Sequence, residues 1–190
     1  MLLPALSKAR ESARATQCVA NIKDISMVTL MYADAWGGHI TSGVSADTEG
    51  GALSWSRVLI KTEYVKANPK LLHCPSAPRA SWNRYYTYGM RCTNNDNGRG
   101  IINLYSYKKP SRVALLGDST VVSGSLRHRL WYSSSNGGMP YLRHLNQVPL
   151  SMIDGHAALH GEHHMRDGTV LWHDTSKFGE FVTSTLLLKK

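Results

Sequence analysis

The sequence predicts an α+β protein in which a long N-terminal helix lies on an antiparallel β-sheet. The stretch 5–35 contains neither proline nor glycine and places apolar side chains at helical spacing. After residue 84, short β-like runs follow one another, and Gly, Pro, Asn or Asp separate most of them. One helix followed by a series of strands is the element order of many α+β domains.

The predicted helix covers 4–35 and is unusually long. Pro4 is tolerated in a first helical turn, and Gly37-Gly38 is a typical helix end. At 1.5 Å per residue the helix would be roughly 45–50 Å long. Its first half carries Ala and Ser where a core helix would carry Leu, so we expect this half to project and 19–36 to pack on the rest of the chain. The predicted apolar stripe comprises Leu3, Leu6, Ala9, Ala13, Gln17, Ala20, Ile22, Ile25, Val28 or Thr29, and Tyr32.

The remainder, 37–190, is predicted to be a β-rich head that forms one domain with the helix of 1–36. Residues 37–52 are rich in Gly, Ser and Thr and predict a loop, and 54–65 predict a short amphipathic helix. Strands are predicted at 85–91, 101–107, 112–116, 126–132, 148–153, 169–173 and 180–186.

The charge distribution bounds the possible partners. The 190-residue chain has a net charge of +9, and 14 of its 22 basic residues but only five of its 13 acidic residues lie in 37–150. A basic excess of this kind attracts nucleic acid or other polyanions. No run of Lys or Arg exceeds two residues, which favours a solvated basic surface instead. No apolar run approaches the roughly 18 residues of a membrane span.

Several short motifs occur in an order that is more specific than any one of them. The sequence LLPALSKARE opens the chain, and Cys18, Asn21-Ile22-Lys23 and MYAD at 31–34 follow. Further along come HCPS at 73–76, YGM at 88–90, LLGDS at 115–119, Arg143-His144 and DGH at 154–156. Together these segments resemble bacterial pilin-like proteins, in particular type II secretion pseudopilin-like proteins with a prepilin-type cleavage and methylation segment.

The resemblance implies a pilin-like fold and a structural function as a subunit of a type II secretion pseudopilus or a type IV pilus-like filament. It implies an apolar membrane helix before Met1, anchorage in the inner membrane, and exposure to the periplasm or the cell surface. The partners would be other pilin or pseudopilin subunits and the secretion machinery. Within this chain, the assembly helix would present Leu3, Leu6, Ala9 and Ala13.

Three cysteines leave the pairing open. The resemblance implies an extracytoplasmic location, where disulfides persist. We therefore favour a disulfide between Cys18 and Cys74, which can meet if the helix packs on the head. A Cys74–Cys92 bridge and the absence of any bridge remain the alternatives.

The histidine-rich segment permits a metal site. His156, His160 and His164 are spaced by four residues, so on a helix neighbouring imidazoles could share one ion. HGEHH at 160–164 is not the HExxH pattern of zinc proteases, and two glycines weaken the helix prediction. A solvated loop is favoured, and calcium or a transition metal stays an alternative to having no cofactor.

Four further polar residues fall in the segments that carry the resemblance. Asp118 and Asp154 each follow an apolar strand-like run, and His144 and His156 lie in the same set of motifs. We expect them to orient turns by charge-assisted hydrogen bonds, with a metal or small-ligand site as the alternative. The chain contains no G-x-S-x-G motif, no P-loop and no G-x-G-x-x-G motif. We assign no catalytic residues and expect no enzyme.

Overall fold

The computed structural model describes residues 3–41, 45–46, 52–66, 69–77, 88–91, 101–120, 129–130, 139–167, 170 and 188–189. Its helices are α1 (Leu3–Ala35), α2 (Trp55–Lys61), α3 (Pro69–Leu72) and α4 (Glu162–Arg166). The first strands are β1 (His39–Thr41), β2 (Ser45–Ala46), β3 (Ala52–Leu53), β4 (Gly89–Arg91), β5 (Ile101–Asn103) and β6 (Ala114–Gly117). The others are β7 (Ser119–Thr120), β8 (Arg129–Leu130), β9 (Met139–Leu142), β10 (Gln147–Met152), β11 (Ala157–Gly161) and β12 (Leu188–Lys189).

Helix α1 extends over 33 residues, as the missing helix breakers predict. It ends where Gly37 and Gly38 adopt positive φ angles of 62° and 84°. The Gly38 N–H then donates to the Ala33 carbonyl at 2.7 Å, which satisfies one of the last free helix carbonyls.

The buried face of α1 begins at Ala15 and continues through Cys18, Ile22, Ile25, Thr29 and Ala33. Residues 3–10 are all exposed. Of the predicted apolar stripe, Gln17 and Ala20 are exposed, whereas Ile22, Ile25 and Thr29 are buried. The head meets the helix at 15 and 18, so before Ile22 the buried face lies to one side of the predicted stripe, and from Ile22 onward the two coincide.

The main sheet has five strands in the order β11-β10-β6-β4-β8. Its pairs are antiparallel except for β4 with β8 at one edge, which is parallel. Helix α1 packs against β10, β11 and β6. The predicted α+β class with a long N-terminal helix on a largely antiparallel sheet is therefore correct.

Three small sheets complete the described architecture. Strands β12, β9 and β7 form one sheet, in which β9 pairs in parallel with β12 and antiparallel with β7. The antiparallel pairs β1–β5 and β2–β3 form the other two.

The core lies between α1, α2 and the main sheet. Ile22, Ile25, Trp55, Leu59 and Met90 have no exposed surface. A second apolar cluster gathers Val148, Leu150 and Met152 of β10 with Leu142 and Met165.

The strand predictions fail where pairing overrides local pattern. Residues 104–106 were predicted to continue a strand but form a 3-10 turn. The segment 157–161 was predicted as loop but forms the edge strand β11, because it pairs with β10 from Gln147↔Gly161 to Ser151↔Ala157. Strand β9 was not predicted. Cys92, the strand prediction at 180–186 and nearly all of that at 169–173 lie outside the described residues.

The β10–β11 turn depends on a glycine. Gly155 has a φ of +89°, a conformation that costs other residues about 1–2 kcal/mol. A Cβ atom added there would lie 3.1 Å from Leu30 Cδ1 and 3.3 Å from Met27 Sδ. Gly155 therefore allows the turn to adopt its conformation and to approach α1 closely.

Candidate functional site

A buried cluster of two thiols and one imidazole lies where α1 meets the head. Cys18 comes from α1, Cys74 follows α3, and His144 follows β9. One ligand atom from each lies within 4.8 Å of the others. Cys18 and His144 have no exposed surface, and Cys74 is 4% exposed. In the part of the chain that the structure describes, this is the one group of three His, Cys, Asp or Glu side chains close enough to share an ion.

A tight hairpin turn positions His144. The His144 N–H donates to the Gln147 carbonyl at 3.1 Å, and the Gln147 N–H donates back at 2.8 Å. The two residues between them, Leu145 and Asn146, have φ angles of 49° and 64°, as a type I′ turn requires. Leucine rarely adopts this conformation, so the turn holds local strain beside the cluster.

Both nitrogens of the His144 ring have partners. Nε2 lies 3.1 Å from Cys74 Sγ, and Nδ1 lies 2.8 Å from Glu11 Oε1. The Ser76 hydroxyl also donates to Glu11, at 3.0 Å. Glu11 therefore joins the first half of α1 to two loops of the head.

The second thiol has its own hydrogen-bonding partner. Cys18 Sγ lies 3.2 Å from the Tyr88 hydroxyl, which is itself buried. Burial, together with the two neighbouring thiols, raises the pKa of Tyr88 well above its ordinary value. Burial, a hydrogen bond with Cys18 and the nearby Asp118 carboxylate raise the pKa of Cys74 far above its ordinary value. Both groups therefore stay neutral at physiological pH.

A buried ion pair lies beside the cluster. Arg143 Nε donates to Asp118 Oδ2 at 2.7 Å, with side chains only 5% and 1% exposed. The Arg143 guanidinium carbon also lies 4.4 Å from the centre of the Tyr141 ring. Since Arg143 is paired and buried, it is not available to an external polyanion. Arg91 is likewise buried, at 5% exposure, and donates to the Tyr107 hydroxyl at 3.2 Å.

A polar groove opens beside Glu11. It encloses about 430 Å³, and its lining includes Lys8, Arg10, Arg14 and Ser76. The groove places the exposed basic side chains of α1 near the Glu11–His144 pair. It also gives solvent a path to the edge of the buried cluster.

The order Cys74, His144, Glu11 is the geometry of a nucleophile, a base and an orienting carboxylate. Nucleophilic attack requires a thiolate and access for a substrate. Cys74 is almost fully buried and its pKa is raised, so both requirements oppose that use. The same donor set is better suited to holding a soft metal ion or to forming a disulfide.

The structure places Cys18 and Cys74 together, as the predicted disulfide requires, but holds both as free thiols. The pairing stays a prediction. Cys92, its alternative partner, lies outside the described residues.

The four polar residues singled out in the sequence separate into two places. Asp118 and His144 belong to the buried region around Cys74. Asp154 and His156 form an exposed pair of their own, 2.6 Å apart, and the His156 N–H also donates to Asp154 at 3.2 Å. The second pair therefore orders the β10–β11 turn.

The helix that the histidine metal hypothesis assumed over 156–164 does not form. His156 lies in a turn, His160 on β11 and His164 on α4, and the ring centres of the last two are 5.7 Å apart. The three do not form a ligand group in the described part of the chain. Burial and the neighbouring His164 and His156 lower the pKa of His160 to about 4, so it stays neutral.

The sequence analysis missed Glu11, Ser76, Tyr88 and Arg143 as site residues. Glu11 lies outside the predicted apolar stripe, so the helical spacing gave no sign that it contacts the head. The other three belong to the motifs HCPS, YGM and Arg143-His144. For Ser76 and Arg143 the available signal was a Cys or His within two residues in the same motif.

Comparisons with known proteins identify no relative of this chain. No protein-family model, no curated protein and no solved structure matches the chain significantly. Among the described residues, no helix has both the length and the apolar character that crossing a bilayer requires.

Proposed function

We propose that this protein is a structural subunit of a pilin-like assembly, either a type II secretion pseudopilus or a type IV pilus-like filament. In this proposal an apolar segment preceding the chain anchors it in the inner membrane, and the head lies in the periplasm or at the cell surface. The observation that carries the proposal is the division of α1 into a projecting half and a half packed on the head.

The projecting half of α1 exposes apolar and small side chains that could contact another helix. Leu3 is 82% exposed and Leu6 is 59% exposed, and Ala9 and Ala13 are exposed on the same half. Small and apolar side chains allow helices to approach closely. The face is too weakly apolar for a protein core, but it suits packing against copies of the same helix.

The junction with the head supports the same use. Glu11 binds both Ser76 and His144, and from Ala15 onward one face of the helix is buried against the head. The direction of the projecting half is thereby fixed relative to the head. A subunit that stacks through its helix requires such a junction, because a hinge there would leave neighbouring heads without a defined arrangement.

Photo-crosslinking in the bacterium that encodes the chain tests the proposal. A photoreactive amino acid would replace Leu6 or Ala9 in the natural gene, and Leu145, exposed on the head, would be the control position. We expect multimers of the subunit mass from the two helix positions and a much weaker ladder from Leu145. A monomer alone at all three positions would refute assembly through this helix.

The coding sequence before Met1 gives a second, independent test. The proposal requires about 20 apolar codons there, preceded by a short basic leader. A natural reading frame that begins at Met1 without such a segment would contradict membrane anchorage.

A further inference from the structure

We propose that Cys18, Cys74 and His144 bind a zinc ion that fastens α1 to the head. The three ligand atoms lie within 4.8 Å of one another and come from three separate segments. Two cysteines and a histidine are a typical zinc donor set. The inference concerns how the subunit is held together, so it does not depend on the proposed assembly.

The hydrogen bonds of His144 prepare it as a ligand. Glu11 is a carboxylate that accepts from Nδ1–H, which leaves Nε2 with a lone pair. That lone pair faces Cys74 Sγ at 3.1 Å. A carboxylate behind the ligating imidazole is the usual second partner in zinc sites, since it fixes the tautomer and raises the basicity of the ring.

The distances are close to those of a zinc tetrahedron. Zinc–sulfur bonds of about 2.3 Å and zinc–nitrogen bonds of about 2.0–2.1 Å place neighbouring ligand atoms roughly 3.3–3.8 Å apart. Since the ligand atoms lie within 4.8 Å of one another, forming the tetrahedron needs them to approach by at most about 1.0–1.5 Å. The fourth position falls to a water or to the Tyr88 hydroxyl, which lies 3.2 Å from Cys18 Sγ.

Charge balance favours the ion in this buried place. Zinc displaces one proton from each thiol, so two protons leave and the divalent ion meets two thiolates. The resulting group is neutral, which avoids the cost of burying an unpaired charge.

A disulfide between Cys18 and Cys74 would compete with zinc for the same sulfur atoms, but it would leave His144 less well satisfied. Oxidation removes the S–H that His144 Nε2 accepts, and this buried acceptor would then lack its donor. Zinc instead takes the lone pair as a ligand. The position of His144 therefore favours metal over oxidation.

Metal titration of the reduced, chelator-treated full chain tests the proposal. We expect one Co²⁺ per chain, with a thiolate-to-metal charge-transfer band and a tetrahedral visible spectrum, and displacement of cobalt by Zn²⁺. Near neutral pH, zinc binding should release two protons per ion. X-ray absorption of the zinc-loaded chain should give two sulfur ligands and at least one nitrogen, and this measurement needs no variant.

Variants assign the ligands. Cys18→Ser and Cys74→Ser should abolish the charge-transfer band, and Glu11→Gln should weaken affinity by about 10–100-fold while the spectrum is kept. Circular dichroism would verify that each variant folds. The matched controls are Cys92→Ser and a chain in which His156, His160 and His164 are all Ala, and both should bind as the unmodified chain does.

Three results would overturn the proposal. The first is the absence of stoichiometric binding by the folded, reduced chain. The second is binding that disappears in the triple histidine variant but survives in Cys18→Ser. The third is a chain purified without reductant but with excess zinc that carries a Cys18–Cys74 disulfide and no metal.

Discussion

The buried pair of Asp118 and Arg143 is the polar contact whose removal should affect stability most. Arg143 Nε and Asp118 Oδ2 are 2.7 Å apart, and the side chains are 5% and 1% exposed. Replacing Asp118 by Asn leaves the guanidinium buried without its counter-charge. Loss of one partner from such a pair costs about 3–5 kcal/mol. The free energy of unfolding should therefore fall by that amount, although Arg143 keeps its contact with the Tyr141 ring.

Urea unfolding followed by tryptophan fluorescence would measure the change, since Trp55 is fully buried and reports on the core. Reductant and chelator keep the thiols reduced and metal-free. Asp154→Asn is the matched control, because the Asp154–His156 pair has side chains 35% and 46% exposed. Exposed pairs contribute about 0–1 kcal/mol, so this substitution should change little.

A double variant separates the pair from its neighbours. Asp118→Asn combined with Arg143→Met removes both charges, so no charge stays buried and unpaired. We expect the double variant to cost no more than either single substitution. Equal costs for Asp118→Asn and Asp154→Asn, or single effects that simply add in the double variant, would contradict this prediction.

Two further predictions concern the turn and the cluster. Gly155→Ala should lower the free energy of unfolding by about 1–3 kcal/mol, because of the positive φ and the close contact with α1. Gly161→Ala is the control, since a Cβ there would meet nothing within 4 Å, and it should be neutral or slightly stabilising in the same urea assay. Equal effects of the two substitutions would contradict the role given to Gly155. For His144, burial lowers the pKa, but the hydrogen bond with the Glu11 carboxylate and the nearby Asp118 carboxylate outweigh it and raise the pKa above its usual value. The folded-state pKa is then the higher one, so this stabilisation is complete below about pH 6.5 and is lost as the pH rises through the folded value. Glu11→Gln should flatten that part of the pH–stability profile of the reduced, metal-free chain, and an unchanged slope would contradict the assignment.

The long helix was predictable because its signals are local. The absence of Pro and Gly from 5–35 and the glycine pair after it act within a few residues of each position. The sequence was less able to predict which side of the helix is buried. Gln17 and Ala20 fit a helical stripe, but the head packs on the neighbouring side, and only the packed structure shows which side that is.

Strands were predictable where they are buried and apolar, as in β6 and β10. Strand β11 was missed because its residues, AALHG, have little strand propensity and pair only because β10 lies beside them. The same reason explains why the histidine metal hypothesis failed. A spacing of four brings side chains together on a helix, but here a turn, a strand and a short helix carry the three imidazoles.

The sequence by itself determined the α+β class, the extent of α1 and the presence of two cysteines able to meet if the helix packed on the head. Only the tertiary structure decided that His144 and Glu11 join them and that Asp118 pairs with Arg143. It also separated Asp154 and His156 from that region. The physical reason is that these groups lie far apart in the chain, and no local pattern encodes contacts that form only when α1, the α3 loop and the β9–β10 turn pack together.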